Sequence, residues 1–311
     1  MHLQIPNMFS FFLCKKANWR VLPSTRPNTS GRFFNRKHCM PSIPLIADPE
    51  FIADLIINHN RPVLILDVCK DSIYQQVHLP GAVHVNYLQL QAGTPPAPGL
   101  PPATASLEML LSDVGLTPDT LVIAYDDEGG TRAARLLWLL ELAGHRHYCY
   151  LNGGIHAWLA ADMPYSTEAH AGQPGHYRIT QHNEQAMITL TELLECYQKP
   201  EVVVWDARSP EEYLGLRRSS AKAGHIPGAI NYEWSRALNP ADKRLRPLPD
   251  IQQELHELGI TLDKKLIVHC QTHHRSSFAW LLARHLGYPQ VRGYAGSWAE
   301  WGNHSDTPVA L

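Results

Sequence analysis

The residues with the clearest capacity for chemistry lie near the C-terminus, where a thiol follows a short apolar run. Residues 266–268 are Leu, Ile and Val, and His269 and Cys270 follow them directly. Polar residues then continue until an apolar segment begins at Phe278. We expect a strand that ends at the thiol, a tight loop, and a helix that begins just beyond it. The unpaired N–H groups and positive dipole end of a helix N-terminus favour an anion, and therefore a thiolate. The pattern predicts that Cys270 is a nucleophile.

The loop after the thiol is rich in hydrogen-bonding and basic side chains. Four residues separate Cys270 from Arg275. A guanidinium recognises a tetrahedral anion through two parallel hydrogen bonds, so Arg275 is suited to bind an oxyanion substrate at the mouth of the loop. Pairing of Arg275 with a surface acid is the alternative. We expect the active-site loop around Cys270 to be formed by Gln271, Thr272, His273, His274 and Ser276.

Composition argues against several classes of function. Of 311 residues, 18% are charged and 44% are apolar, and the formal net charge is −2 with histidine neutral. This charge provides no global field that would recruit nucleic acid or anionic lipid. No apolar run approaches the length of a membrane span. The six cysteines have no paired spacing, which favours a reducing compartment over disulfides or a zinc site. We therefore expect a cytoplasmic protein without nucleic-acid or membrane partners.

The first 39 residues differ from the rest of the chain. They contain seven Lys or Arg residues and no acid. A basic, acid-poor composition allows an organelle transit peptide, and organelle import is therefore the alternative to a cytoplasmic location. The simpler interpretation is a disordered tail, or an upstream extension whose true start is Met40. We leave residues 1–39 out of the predicted fold.

From residue 43 onward, apolar strands alternate with helical patterns, and the whole order occurs twice. One strand ends at Asp67 and its counterpart ends at Asp206. His78 and His225 each begin a loop that turns at Pro-Gly. Corresponding positions lie about 139 to 147 residues apart, a spacing that fits a duplicated domain. The alternation predicts an α/β fold in which each copy is a parallel sheet with helices on both faces.

The copies differ where the second one has its thiol. Counting back from Gly144 and Gly287 aligns Asp127 with Cys270, whereas counting from the strand ends aligns Asp126 with it. In either alignment the first copy has acids in place of the nucleophile. Acids in a loop could instead be acid/base catalysts or metal ligands, but they are more often solvated. We expect the first copy to be inert and to form one wall of the active-site cleft.

These observations define the expected domain boundaries. Residues 43–163 form an inactive domain and residues 186–311 form the catalytic domain. The segment between them, residues 164–185, is rich in Pro, Gly, Ser, Thr and His and has no apolar periodicity. Such a composition is typical of a linker that runs over the surface.

From about residue 43 to its end, the chain resembles the tandem-domain rhodaneses, the thiosulfate sulfurtransferases. Tyr74 followed by residues 78–82, HLPGA, is similar to the N-terminal motif of that family. Residues 291–301, VRGYAGSWAEW, are similar to its C-terminal motif. Residues 270–276, CQTHHRS, are similar to the active-site loop of a bacterial rhodanese subgroup. The resemblance implies two rhodanese-like domains in tandem.

The resemblance also implies a double displacement that needs no metal or organic cofactor. Cys270 attacks the outer sulfur of thiosulfate, sulfite leaves, and the persulfide passes its sulfur to cyanide or a thiol acceptor, such as a thioredoxin-like protein. Arg208 corresponds to a family arginine implicated in substrate binding, although pairing with Glu211 or Glu212 is the alternative. Many rhodaneses have a lysine where this chain has Thr272, which puts the affinity for thiosulfate in question.

Four other functions remain as alternatives. The 3-mercaptopyruvate sulfurtransferases share the tandem fold. Their loop carries small residues and glycine, whereas this loop has bulkier residues and no glycine. Cysteine phosphatases also place Cys and Arg around a loop, but they need a longer one. Cys270, His273 and His274 have a feasible spacing for a metal, without a second cluster to complete four ligands. Finally, Cys270 could be a structural residue of a non-enzymatic sulfur-sensing or interaction module.

Overall fold

The fold is built from two sets of strands in the same order. The structure, a computed structural model, describes residues 43–311, and the expectations for residues 1–39 lie outside this range. The first set is β1 (Ile46–Ala47), β2 (Val63–Asp67), β3 (Val83–His84), β4 (Leu121–Tyr125) and β5 (Tyr148–Leu151). The second set is β6 (Met187–Ile188), β7 (Val202–Asp206), β8 (Ile230–Asn231), β9 (Lys265–His269) and β10 (Val291–Tyr294).

Each set forms one sheet of five strands, and all strand pairs are parallel. The order is β1-β5-β4-β2-β3 in the first sheet and β6-β10-β9-β7-β8 in the second. The registers also correspond, since Asp67 pairs with Tyr125 on β4 as Asp206 pairs with His269 on β9. The predicted α/β fold and its internal duplication are confirmed.

Helices connect the strands, as parallel sheets require. The first half contains α1 (Pro49–Asn58), α2 (Asp71–Tyr74), α3 (Thr104–Asp113), α4 (Thr131–Leu142) and α5 (Gly154–Ala160). The second contains α6 (Leu190–Cys196), α7 (Pro210–Tyr213), α8 (Leu248–Glu257), α9 (Arg275–His285) and α10 (Ser297–Trp301). Short 3₁₀ helices occupy Tyr87–Leu90, Glu184–Ala186 and Trp234–Ala237. No helix within residues 43–311 is both long and apolar enough to cross a bilayer.

The sheets are covered on both faces, as the sequence of β4 shows. All five residues of this strand are buried. Because successive side chains of a strand point to opposite faces, Val122 and Ala124 enter one apolar core. Ile123 and Tyr125 enter another. The first core contains residues of both halves, so the two sheets share one hydrophobic centre.

Helices α4 and α9 pack against each other in this shared core. Nearly every residue of α4, and most of α9, is buried. Each helix is buried on most of its surface, because one side covers its own sheet and the other meets the partner helix. The loops that precede α4 and α9 therefore lie beside each other, and both belong to the same end of the shared core.

The segment between the halves is fastened to the first one. The amide of His78 donates to the Ser166 carbonyl at 3.0 Å. Further along, the amide of Tyr177 donates to Ser112 Oγ at 2.9 Å, and that of Ile179 donates to the Glu108 carboxylate at 2.9 Å. These hydrogen bonds hold an irregular surface segment against the first half, and two of them are made to residues of α3.

Candidate active site

Cys270 lies at the carboxyl end of β9, the central strand of the second sheet. The strand lies between β7 and β10, and Leu266, Ile267 and Val268 are buried. Cys270 follows the strand directly and is 1% exposed. After a loop of residues 270–274, α9 begins at Arg275. The predicted strand, loop and helix are confirmed, and the thiol lies at the positive end of a helix dipole.

The N-terminus of α10 holds both ends of the loop in place. Ser297 Oγ accepts the amide of Cys270 at 3.4 Å and the amide of His273 at 3.0 Å, and donates to the Tyr294 carbonyl. The amide of Trp298 donates to the Cys270 carbonyl at 2.9 Å. The sequence analysis did not single out Ser297, and its only signal was its place in the C-terminal motif. Ser297 therefore fixes the conformation of the catalytic loop.

His273 is a buried part of the loop framework. Its φ angle of 54° lies in the left-handed region, which is uncommon outside glycine, although Asn, Asp and His adopt it more often than other residues. Its Nδ1 lies 2.7 Å from Ser276 Oγ, and its ring meets Trp138 edge-on at 4.5 Å between centroids. Burial lowers the pKa of His273 well below its usual value. The ring is therefore neutral, and it connects the loop to the first half.

His274 points elsewhere, toward the mouth of the loop. Its Nε2 lies 3.4 Å from a carboxylate oxygen of Glu128, and its ring packs on Tyr87 at 4.8 Å between centroids. The neighbouring His274 ring, together with Arg132, lowers the pKa of Glu128 well below its usual value. The two histidines of the loop thus have different partners. No three His, Cys, Asp or Glu side chains of the described part of the chain are grouped to hold a metal.

Arg275 forms a two-point ion pair with an acid of α7. Its Nη1 lies 2.5 Å from Glu212 Oε2 and its Nη2 lies 3.0 Å from Oε1. Burial raises the pKa of Glu212, but the hydrogen bonds and charge of Arg275 outweigh burial, and the pKa is lowered. Glu212 also accepts the amide of Ser209 at the start of α7. The sequence alternative of a paired Arg275 is therefore observed, with a buried acid rather than a surface one.

Arg208 is buried beneath the loop, and its partner is Asp206. Its guanidinium contacts both oxygens of that carboxylate at 2.6 to 3.0 Å, donates to the Gly224 carbonyl and lies 4.4 Å from the Trp298 ring centroid. The alternative of pairing with Glu211 or Glu212 is not observed, since the ion pair is with Asp206. With only 1% of Arg208 exposed, this geometry favours a positioning role over direct contact with a substrate.

His269 completes the group beneath the thiol. Its Nε2 lies 3.5 Å from an oxygen of Asp206, and burial lowers its pKa below the usual value. The ring is fully buried. His269 is thus a neutral neighbour of Cys270 rather than a cation that would stabilise a thiolate.

An open cleft of about 580 Å³ lies in front of the loop, between the two halves. Its walls come from both of them, and are formed by Asp127, Glu128, Thr131, Trp234, Lys243, Gln271, Thr272, His274 and Arg275. Gln271 is held on one side by Ser219 Oγ at 2.7 Å. On the other side, Gly99 approaches the main chain of Thr272 so closely that a Cβ at Gly99 would lie 2.2 Å from its carbonyl oxygen.

The corresponding loop of the first half holds a carboxylate where the second half has its thiol. Asp126 follows β4 as Cys270 follows β9, and five residues precede each helix. The fully buried carboxylate of Asp126 accepts four main-chain amides at 2.8 to 3.0 Å, those of Glu128, Gly130, Arg132 and Ala133. Burial raises the pKa of Asp126, against the opposing effect of these amides. The counterpart of Cys270 is therefore Asp126 and not Asp127.

Comparison with known proteins agrees with this geometry. The model of the rhodanese-like domain matches residues 49–161 and again residues 189–304. A protein named thiosulfate sulfurtransferase from Azotobacter vinelandii is 48% identical over 87% of this chain and 98% of its own length. One of the same name from Pseudomonas aeruginosa is 48% identical over 86% and 98%.

A solved structure with the same fold is the anaerobic ergothioneine biosynthesis enzyme of Chlorobium limicola, in complex with trimethyl histidine. It superposes with a TM-score of 0.77 at 24% identity, over 86% of this chain and 70% of that one. This likeness concerns the fold alone. Two matched domains, two equivalent parallel sheets and two curated relatives of 48% identity show that the chain belongs to the rhodanese-like domain family.

Proposed function

We propose that the protein is a thiosulfate sulfurtransferase that carries sulfane sulfur as a persulfide on Cys270. The observation that carries the proposal is the position of this thiol. It lies at the end of β9 and the start of α9, behind a cleft that basic side chains of the second half help to line. The names of the two relatives that are 48% identical support the choice of thiosulfate as donor.

The first half-reaction is a displacement at sulfur. The Cys270 thiolate attacks the outer sulfur of thiosulfate and forms a new S–S bond. The S–S bond of thiosulfate breaks, and its electron pair leaves with sulfite. In the second half-reaction, cyanide or a thiolate attacks the terminal sulfur of the persulfide, and the electron pair of that S–S bond returns to Cys270. No metal or organic cofactor takes part in either step.

The loop is suited to hold the terminal sulfur of a persulfide as an anion. In the first half, amides two, four, six and seven residues after Asp126 surround its carboxylate. The residues at the same distances from Cys270 are Thr272, His274, Ser276 and Ser277. Gly129 and His273 share a left-handed φ, but Gly130 is left-handed and His274 is right-handed, so the two loops differ at their last residue. The amide of Ser277 donates to the His274 carbonyl at 3.3 Å. We infer that the amides of Thr272, His274 and Ser276 converge on the sulfur of the persulfide.

Arg275 has the position and the charge to orient the donor. It lines the cleft and remains partly exposed while Glu212 fixes its guanidinium. Glu212 takes one N–H of each Nη, and the remaining N–H groups are held in fixed directions, so they can bind an oxyanion with less loss of conformational freedom than a free side chain. Arg208 pairs with Asp206 and lies over the Trp298 ring, and its direct contact with substrate stays a prediction.

The remaining residues of the mouth limit what enters. Gln271 and Thr272 line the cleft together with His274, and their bulk leaves less room than small residues would. We propose that this selects a small donor such as thiosulfate over 3-mercaptopyruvate. Cyanide and thiols are the proposed acceptors, including a cysteine of a thioredoxin-like protein, because they need to approach a single sulfur only.

A reducing compartment suits this chemistry, and we propose the cytoplasm. Oxidation of Cys270 would block attack on the donor. Cys69, Cys149, Cys196 and Cys270 are all free thiols.

The test is mass spectrometry of the full chain after incubation with thiosulfate and removal of the excess. We expect a gain of one sulfur atom, lost on addition of cyanide with release of one thiocyanate. Cys270→Ser should not gain the sulfur, whereas Cys196→Ser, which alters a half-buried thiol on α6, should behave as the wild type.

A panel of substrates separates the alternatives. Faster sulfur loading from 3-mercaptopyruvate than from thiosulfate would reassign the donor. Hydrolysis of p-nitrophenyl phosphate without thiocyanate formation would favour a phosphatase. Sulfur gain that persists in Cys270→Ser would contradict the assigned nucleophile.

A further inference from the structure

The first half contributes a buried cation whose purpose its own fold does not explain. Arg135 lies on α4 and is completely buried. Its Nε donates to the Leu90 carbonyl at 3.0 Å, and its Nη2 donates to the carbonyls of Gly99 and Leu100 at 2.7 and 3.2 Å. Its Nη1 has no hydrogen-bond partner within residues 43–311. These contacts leave a full positive charge facing carbonyl groups alone.

Arg135 packs against residues that contact the catalytic loop. Its guanidinium lies 4.6 Å from the Trp138 ring centroid, and Trp138 meets the His273 ring at 4.5 Å. The Gly99 carbonyl that it binds belongs to the residue pressed against the main chain of Thr272. The side chain therefore reaches the loop through contacts on two sides.

Three other arginines beside the loop are paired with carboxylates, and Lys243 is half-buried at the cleft. Arg208 has Asp206, Arg275 has Glu212, and Arg132 shares Glu128 with His274. Within residues 43–311, no carboxylate influences the charge of Arg135, and the groups that favour it are Tyr87 and Cys270. Burial lowers the pKa of Arg135 to about 10, so the guanidinium is still charged at neutral pH.

The titratable neighbours do not take the part of a counter-ion. Burial raises the pKa of Tyr87 to about 12, so its phenol is neutral at neutral pH. His269 and His273 have pKa values lowered by burial, so neither bears a charge there. A buried, unpaired cation is strongly unfavourable unless an anion lies near it. Among the groups that act on Arg135, this leaves the sulfur of Cys270, which becomes an anion in the proposed reaction.

We propose that Arg135 of the inactive half is the buried counter-charge of the Cys270 thiolate and of its persulfide, a positioning residue of the sulfur-transfer reaction. This role rests on the proposed nucleophile and deepens it. The inactive half then does more than form a wall. Its guanidinium favours the anionic sulfur, and its carbonyl contacts hold Gly99 against the loop.

The first test is the pH dependence of alkylation of Cys270 by iodoacetamide, followed at the level of the Cys270 peptide. A nearby opposite charge typically shifts the titration of an acid by about one unit or more. In Arg135→Met, we expect alkylation at pH 7 to fall about tenfold or more and its half-maximal pH to move upward. Arg135→Lys keeps the charge, and should bring the half-maximal pH most of the way back to that of the wild type.

The comparison of Lys with Met separates charge from packing, because both variants lose the fork of carbonyl contacts. The matched control is Arg284→Gln. Arg284 lies on α9, away from the loop, and pairs with Glu141 of α4. This variant should leave the profile unchanged. A wild-type profile in Arg135→Met, or equal profiles in the Lys and Met variants, would overturn the proposal. Alkylation needs no sulfur donor, so this result is independent of whether thiosulfate is the substrate.

A second measurement does not require that Arg135 variants fold. Cys270→Asp places a carboxylate in the catalytic loop, and Cys270→Asn places an uncharged side chain of similar shape there. Loop amides alone favour a carboxylate, and wild type against Asp126→Asn measures that effect in the equivalent loop. We expect the difference in melting temperature between Cys270→Asp and Cys270→Asn at pH 7 to exceed that between wild type and Asp126→Asn. A difference equal to or smaller than that reference would contradict the proposal.

Discussion

Asp126 and Cys270 occupy equivalent places in the two halves, each as the first residue after the central strand of its sheet. The amides around the Asp126 carboxylate are all satisfied by it. The first half therefore retains an anion-binding loop that is permanently filled from within. We therefore expect the first half to be inert, because its loop has no nucleophile and a carboxylate of the chain itself fills the space for an anion.

The first prediction concerns the stability of that filled loop. In Asp126→Asn, an amide NH₂ replaces an acceptor and faces main-chain N–H groups. Loss of hydrogen bonds to a buried charged group costs about 1–3 kcal/mol, so the free energy of unfolding in urea should fall by this amount. Asp113→Asn, at the exposed end of α3, should change it by less than about 0.5 kcal/mol. Equal stabilities of Asp126→Asn and wild type would show that the four amides do not stabilise the loop.

Strand and loop patterns carried most of the fold prediction. The apolar runs that become β4 and β9 are short, bounded by polar residues, and lie at equivalent places in two copies. Parallel pairing and the position of Cys270 at a helix N-terminus follow from such a pattern. Both features follow from the order and type of residues along the chain, and so they could be predicted without knowledge of side-chain contacts.

The alignment of the copies could not be decided from sequence. Helix α4 has 12 residues and α9 has 11. Counting back from Gly144 and Gly287 therefore shifts the first loop by one position. Only the coordinates of the strand ends show that Asp126, and not Asp127, is the counterpart of Cys270.

Side-chain pairings were the other limit. Glu212 and Asp206 were each visible near Arg208, and nothing local decided which of them Arg208 would choose. The choice depends on Arg275, 63 residues beyond Glu212, which reaches Glu212 only because α9 and α7 meet in the folded chain. The contacts of Glu128 with His274 and of Trp138 with His273 cross between the halves in the same way.

The second prediction separates the two half-reactions through Arg275. Its guanidinium can bind the departing sulfite group of thiosulfate, whereas transfer to cyanide involves no oxyanion. Loss of a preorganised donor to a developing charge costs about 10²-fold in rate. Arg275→Ala should therefore slow sulfur loading by about this factor, while the rate of cyanide attack on the loaded persulfide changes by less than about threefold. Stopped-flow tryptophan fluorescence can follow each half-reaction alone.

Removal of Arg275 also leaves Glu212 buried without its partner, and a control for this effect is needed. The double variant Arg275→Ala/Glu212→Gln removes both charges, and its loading rate should remain low. Recovery of loading in the double variant would show that the unpaired acid, and not the missing guanidinium, caused the loss. An equal fall of both half-reactions in Arg275→Ala would instead indicate general damage to the loop.

The third prediction concerns pH and the buried His273. Its pKa in the folded state lies well below the usual value near 6.5 because burial disfavours the charged ring. Below about pH 6.5 the unfolded chain binds a proton there that the folded chain does not. Stability therefore falls as pH falls, at up to about 1.4 kcal/mol per pH unit for this histidine. His269, also lowered, adds a slope of the same sign.

The variant His273→Asn isolates this contribution. Asparagine tolerates the left-handed φ that position 273 requires, so the loop can keep its turn. The variant should be less stable near pH 7.5 because it loses packing on Trp138. However, its free energy of unfolding should decline less steeply between about pH 6.5 and 5, by up to about 1.4 kcal/mol per unit. The exposed His182→Asn should keep the wild-type slope. A pH slope as steep in His273→Asn as in the wild type would contradict the prediction. It would mean that the folded wild-type protein can protonate His273, and therefore that solvent reaches this ring.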